Sequence, residues 1–229
     1  MALPYELKPF PFSSHQWILK ILARETRPLR ILEVGTAGGY LGRILGERGH
    51  SVTGIELDPE VAAKARPYYQ EMCVGDLECF GFAWRREFDW ILFADVLEHL
   101  RDPAAVLTRA APCLKTTGKI LISVPNIANV VTRLSLLAGR FDYAERGILD
   151  RTHLRFFTLR SLTQTLDRSG LRATETRATP LPVQIVFPFT TAKIFLPLHY
   201  AHHGMVGLRK QLFGYQFVVV AEPKNTGSA

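Results

Sequence analysis

The feature that most constrains this chain is the character of its short apolar runs. Arg30–Val34, Phe88–Ala94 and Gly118–Val124 are near-continuous in apolar residues and do not alternate with polar ones. A strand of that kind is buried on both faces, which calls for a parallel sheet with helices above and below it. Between the runs lie segments of helical period. Trp17, Ile18, Ile21 and Leu22 share one face behind a Ser13 cap, and Leu107, Ala110, Ala111 and Leu114 share another. Strands are expected at Arg30–Val34, Ser51–Glu56, Met72–Val74, Phe88–Ala94, Gly118–Val124, Leu171–Thr176 and Tyr215–Ala221. Helices are expected before and between them, including Val61–Tyr69, Pro103–Leu114 and Thr158–Ser169.

Composition narrows the class. Of 229 residues, 47% are hydrophobic and 21% charged, which is ordinary for a globular chain and unlike a disordered or coiled-coil one. One domain spanning 1–229 is expected at this length. Cys73, Cys79 and Cys113 are too few for a disulfide framework and fit no zinc spacing, so reduced thiols in a cytoplasmic protein are expected. Met1–Phe12 lacks the pattern of a secretory signal, and no apolar stretch is long enough to span a membrane. The net charge is +7. Between Arg133 and Arg177 stand nine arginines, no lysine and five acids. Arginine suits forked contacts to phosphate or carboxylate, which points to an acidic group on a substrate.

Two segments break the alternation. Residues 126–157 and 180–213 are far longer than ordinary connections in a compact α/β unit, and insertions of this length usually serve function. The second is rich in Phe, Leu and Ile. It is expected to cap the site, to form a dimer contact, or to lie on a membrane surface.

In an open parallel sheet the ligand sits beyond the carboxyl ends of the strands. The first such turn here is Glu33-Val34-Gly35-Thr36-Ala37-Gly38-Gly39, whose small residues let the backbone turn tightly and approach a ligand. Glu56 ends the second strand, placed for a carboxylate to accept ribose hydroxyls. Tyr40 stands where a dinucleotide fingerprint wants a small residue, which disfavours NAD.

With these motifs in order, the sequence resembles the class I S-adenosylmethionine-dependent methyltransferases. Leu32–Gly39 resembles the family's glycine loop, with Ala37 in place of a glycine. Gly54-Ile55-Glu56-Leu57-Asp58 resembles its ribose-binding motif, and Gly75-Asp76-Leu77 the motif that meets adenine. Phe88–Pro103, with Leu97-Glu98-His99 at its centre, resembles the fourth strand and loop. Leu114–Asn126 resembles the fifth strand. The resemblance implies a Rossmann-like fold: a mostly parallel seven-stranded sheet of order 3-2-1-4-5-7-6, the last strand antiparallel, with helices on both faces and the two insertions forming a cap. It implies S-adenosylmethionine as cofactor, with S-adenosylhomocysteine as product. Glu33, Gly35, Thr36, Ala37, Gly38, Gly39, Glu56, Leu57, Asp76, Leu77, Ala94, Asp95, Val96 and His99 would hold it.

The segment Gly139–Tyr143 with Gly147–Thr158 is similar to a bacterial subgroup associated with glycan and polysaccharide assembly. That likeness implies a saccharide or other small-molecule hydroxyl as acceptor, with a phosphate on it as an option. Quinone or lipid acceptors, RNA, and a catalytically inert scaffold are the alternatives. RNA is disfavoured because the basic residues are dispersed and no stacking motif accompanies them.

Methylation of a hydroxyl needs alignment and a proton acceptor. His153, His99 and Asp95 are the catalytic candidates. Asp150 is expected to orient His153 and raise its pKa. Asn126, Arg140, Arg151, His153 and Arg155 are the substrate candidates. Asp89 is expected to be structural, and His199, His202 and His203 to be lid or surface residues. No metal is expected. The chain is expected to be monomeric or homodimeric and cytoplasmic, with the inner membrane face as a peripheral option through 180–213.

Overall fold

A computed structural model describes residues 12–182 and 196–224. Its seven strands form one sheet of order β3-β2-β1-β4-β5-β7-β6. These are β1 (Arg30–Val34), β2 (Ser51–Glu56), β3 (Glu71–Val74), β4 (Phe88–Ala94), β5 (Leu114–Pro125), β6 (Leu171–Ala178) and β7 (Gln216–Pro223). β1 pairs with β2 and β4, β2 with β3, and β4 with β5, all in parallel. β7 runs antiparallel to both β5 and β6.

The continuous apolar runs have a simple explanation. All seven residues of β4 are buried, and from Trp90 onward they divide by turns between two cores. Ile91 and Phe93 join a cluster with Val106 and Leu107 of helix α4 (Pro103–Ala110) and Leu162 and Leu166 of α6 (Leu159–Arg168). Trp90, Leu92 and Ala94 face the other way. They meet Ile18 and Leu22 of α1 (Ser14–Leu22) and Leu41 and Leu45 of α2 (Tyr40–Glu47). The strand's side-chain period of two thus feeds a helical layer on each face.

Local signals set the ends of the elements. Ser13 accepts from Gln16 N–H at the start of α1, and Asp58 accepts from Glu60 and Val61 N–H at the start of α3 (Pro59–Ala65). Thr158 and Ser161 close a reciprocal capping box on α6. The expected helix 61–69 ends at Ala65 and tightens into a 3-10 turn over Arg66–Tyr68. Pro67 has no N–H to continue the ladder, which accounts for the difference. β5 starts four residues earlier than expected, because Leu114 already pairs with Phe88 across a bulge.

The insertion at 126–157 is partly helical. Asn129 caps α5 (Val130–Leu137), its Oδ1 accepting from Val131 N–H at 2.9 Å. In the second insertion α7 (Leu196–Leu208) and α8 (Lys210–Phe213) precede β7. Residues 183–195 of that insertion, the N-terminal residues 1–11 and the tail 225–229 lie outside the described residues, as do the side chains of His199 and His202. Among the described residues no helix is long and apolar enough to cross a membrane.

Candidate active site

The carboxyl ends of β1, β2, β3, β4 and β5 converge on one edge of the sheet. Because β7 runs the other way, its first residue comes to that edge: Gln216 pairs with Pro125, the last residue of β5.

At the β1 end the backbone takes positive φ at Gly35 (73°), Ala37 (45°) and Gly39 (74°). A Cβ on Gly35 would stand 2.7 Å from Val96 Cγ2, so Val96 fills the space beneath the turn. Glu56 pins the same turn. Its Oε2 accepts from Ala37 N–H at 2.8 Å, and its Oε1 accepts from Leu57 N–H at 2.8 Å. Leu57 is 64% exposed and Val74 48%, leaving apolar side chains open beside the acid. Asp76 is exposed, its Oδ1 accepting from Glu78 N–H at 2.9 Å. A tight glycine turn, an acid and open apolar side chains on one edge fit an adenosine-bearing ligand.

Glu33 sits behind this surface. It is 1% exposed, and Tyr69 donates to its Oε2 at 2.9 Å. Burial raises its pKa to about 8, against the Tyr69 hydroxyl and the Gly42 N–H, which favour the charge; the Glu56 charge adds to the rise. Its place beneath the glycine turn suits it to shaping that loop.

The second half of the site forms where insertion 126–157 folds over the loop after β4. Asp95 has φ 57°, its N–H donating to Ser123 O at 3.1 Å. Its Oδ1 accepts from the Ser123 hydroxyl at 2.5 Å and from Gln216 Nε2 at 3.0 Å. Residues Leu97–His99 form a single 3-10 turn without a side-chain cap, so Asp95 is held by the sheet and is not a helix cap. Leu154 and Arg155 N–H both donate to Glu98 O, at 2.8 and 2.9 Å. These bonds carry His153 to His99, with ring centroids 4.9 Å apart.

Each imidazole is oriented by a backbone carbonyl. His153 Nδ1 donates to Ile148 O at 3.1 Å and His99 Nδ1 to Thr152 O at 3.2 Å. A carbonyl can only accept, so in each neutral ring the lone pair falls on Nε2. Burial lowers the His153 pKa, and the His99 neighbour lowers it further. The Ile148 carbonyl, Asp150 and Asp95 pull the other way and lose. The expected rise through Asp150 is therefore corrected. Asp150 is 4% exposed and its Oδ1 is spent on the Thr152 N–H and hydroxyl, at 2.8 and 2.7 Å.

Two substrate expectations also change. Asn126 is fully buried. Its Nδ2 donates to Gln211 O and Gly214 O, and its Oδ1 accepts from Ala128 N–H, so it fastens α8 to the sheet and is corrected to a structural residue. Arg155 donates from Nε and Nη2 to Arg101 O at 2.9 and 2.5 Å and braces the loop after β4. Arg140 and Arg151 are exposed on the insertion.

Asp89 has the structural role expected of it, buried between Arg27 and Lys115. Glu98, His99 and His153 have ligating atoms within 4.8 Å of one another, the one such trio among the described residues. Two imidazoles and a carboxylate form a donor set that a divalent cation could use. Gln216, Ser123 and the Ile148 carbonyl carry no signal in the sequence, because their partners lie far away in the chain or are backbone atoms.

This sheet order, with a glycine turn and an acid on its first two strands, defines a Rossmann-like methyltransferase fold. The chain belongs to the family described as "Methyltransferase domain", which matches residues 7–176. That family is one of class I S-adenosylmethionine-dependent methyltransferases. The chain is similar to a ubiquinone biosynthesis O-methyltransferase of Xanthomonas euvesicatoria pv. vesicatoria, 30% identical over 130 residues that cover 54% of each protein. Another of the same name, from Xylella fastidiosa, is 32% identical over 133 residues, 54% of this chain and 52% of the relative. The chain thus spans about half the length of the curated relatives it matches.

Two solved structures share the fold. One is a putative methyltransferase in complex with the Haloferax volcanii Trm112 methyltransferase activator, with TM-score 0.61 and 19% identity over 93% of this chain and 90% of that one. The other is Burkholderia thailandensis 1,6-didemethyltoxoflavin-N1-methyltransferase, bound to 1,6-didemethyltoxoflavin and S-adenosylhomocysteine. Its TM-score is 0.59, with 18% identity over 94% of this chain and 80% of that one.

Proposed function

We propose that this methyltransferase acts on a hydroxyl oxygen of a saccharide or other small molecule, with His153 as the general base. The observation that carries the reading is the state of His153. Its Nδ1–H is committed to Ile148 O, and burial holds its pKa below the ordinary value. It is therefore neutral at pH 7, with a basic Nε2.

S-adenosylmethionine, when bound, supplies an electrophilic methyl on a sulfonium and leaves as S-adenosylhomocysteine. Glu56 would hold the ribose, and the Gly35–Gly39 turn would let the backbone approach the cofactor. Leu57 and Val74 would flank the base. Asp95, fixed by Ser123 and Gln216, favours the cationic form of His153 as the ring takes up a proton. As the acceptor oxygen gains the methyl, its proton passes to His153 Nε2. His99 packs edge-on against His153 and fixes the ring.

A second reading keeps the same base and takes a hydroxyl of a quinone or lipid as acceptor. The names of the relatives in ubiquinone biosynthesis favour it.

The test is S-adenosylhomocysteine release from a panel of saccharides and catechols, for wild type and His153→Ala. Turnover of a hydroxylated acceptor that falls in His153→Ala, with S-adenosylhomocysteine affinity retained, supports the assignment. Turnover at the wild-type rate in the variant overturns it.

A further inference from the structure

Away from His99 and His153, the insertion carries a shallow, open depression of about 480 Å³ lined by Phe141, Asp142, Tyr143 and Arg151. All four lining residues are exposed, so a ligand here would lie against an open face. Its position is fixed by backbone bonds. Arg140 N–H donates to Ser135 O at 2.8 Å, Ala144 N–H to Leu149 O at 2.8 Å, and Arg151 N–H to Ala144 O at 3.1 Å. Phe141 is 40% exposed and Tyr143 51%, and their rings meet edge to face at 5.6 Å. Both rings are thus partly open to solvent while braced against each other.

The rings continue inward. Phe141 meets Phe156 at 5.8 Å, and Phe156 meets His153 at 6.4 Å. The cavity therefore lies two ring contacts from the proposed base.

The lining restricts what can bind. An anion such as phosphate would face Asp142. A cation would face Arg151. A purely apolar tail would strip water from both charges without replacing it. A neutral polyhydroxylated ring satisfies all four residues. Its C–H face lies on an aromatic face, its hydroxyls donate to Asp142, and they accept from Arg151.

We propose that Phe141, Asp142, Tyr143 and Arg151 form a saccharide subsite that holds a sugar ring next to the one methylated, so that the acceptor is an oligosaccharide of two or more rings. The proposal deepens the acceptor reading above and rests on it. Binding energy from the second ring would position the reacting hydroxyl at His153. Arg151 thereby serves a hydroxyl, not the acidic group expected from the arginine-rich sequence.

The test is retention of the labelled 229-residue protein on an array of bacterial surface oligosaccharides, at saturating S-adenosylhomocysteine. Wild type should retain a set of glycans of two or more rings. Phe141→Ala and Tyr143→Ala should each weaken retention about three- to ten-fold. Asp142→Ala should weaken it too, and all three should bind S-adenosylhomocysteine as wild type does by calorimetry, which shows that they fold. No retained glycan, retention of single sugars only, or variants equal to wild type would overturn the subsite. His153→Ala separates the two readings: it should keep glycan retention while losing turnover, so failure of the base leaves the subsite standing.

Discussion

His153 Nδ1 lies 3.1 Å from the carbonyl oxygen of Ile148, five residues earlier in the chain. That contact fixes the tautomer, and burial keeps the ring neutral. The rate should therefore rise with pH through a midpoint below the ordinary histidine value of about 6.5 and then level off. His153→Ala should cost about a hundred-fold or more in kcat. His99→Asn should cost less, since His99 supports the ring and takes no proton. A pH–rate profile whose midpoint lies above 7 would contradict the burial argument. The same shift affects stability: a histidine with a depressed folded pKa stabilises fully above its unfolded pKa. That contribution is lost as pH falls through the folded value.

The Glu56 carboxylate accepts N–H groups from Ala37, Leu57 and Asp58, so it is already aimed at the glycine turn. Glu56→Ala should weaken S-adenosylhomocysteine about ten-fold or more, the scale of a hydrogen bond to a charged group. Calorimetric titration reads this directly. An unchanged dissociation constant would show that the ribose lies elsewhere.

Much of this was legible in the sequence, for local reasons. Phe88–Ala94 announced a strand covered on both sides, and the structure splits it between two cores. Ser13 and Thr158 marked helix starts because a cap acts within three residues. Asn126 was misread because its partners, Gln211 and Gly214, are distant in the chain. His153 was misread in sign. The sequence displays the neighbouring Asp150 but hides the burial that outweighs it. Pro67 is legible too, and its missing N–H is what ends α3 at Ala65.

Two residues of one turn should respond oppositely to exchange. Gly35 has φ 73° and no room for a Cβ, whereas Ala37 holds φ 45° despite having one. Gly35→Ala should destabilise the fold by about 1–2 kcal/mol from the backbone alone, with the Val96 clash added. Ala37→Gly should relieve strain and, after the extra entropy of glycine in the unfolded chain, stabilise by at most about 1 kcal/mol. Urea unfolding of both variants distinguishes the signs. A stabilised Gly35→Ala would mean that the turn relaxes from its left-handed shape.

Asp89 carries the clearest pH signature of stability. It is 5% exposed, so burial alone would raise its pKa. Arg27 at 2.7 Å, the Arg30 N–H at 2.8 Å and Lys115 at 2.9 Å reverse that and hold it at about 2. Its unfolded value is near 3.9. A depressed carboxylate contributes stability that is fully present above the unfolded pKa. That stability is lost as pH falls through the folded one, so the window here runs from about pH 4 down to about 2. The contribution is about 2 kcal/mol. Asp89→Asn should lower stability at pH 7 by at least that much, because Arg27 and Lys115 lose their counter-charge. It should also flatten the acid limb, so the two proteins converge in denaturant midpoint near pH 2. Parallel curves across that range would show that other carboxylates govern acid unfolding.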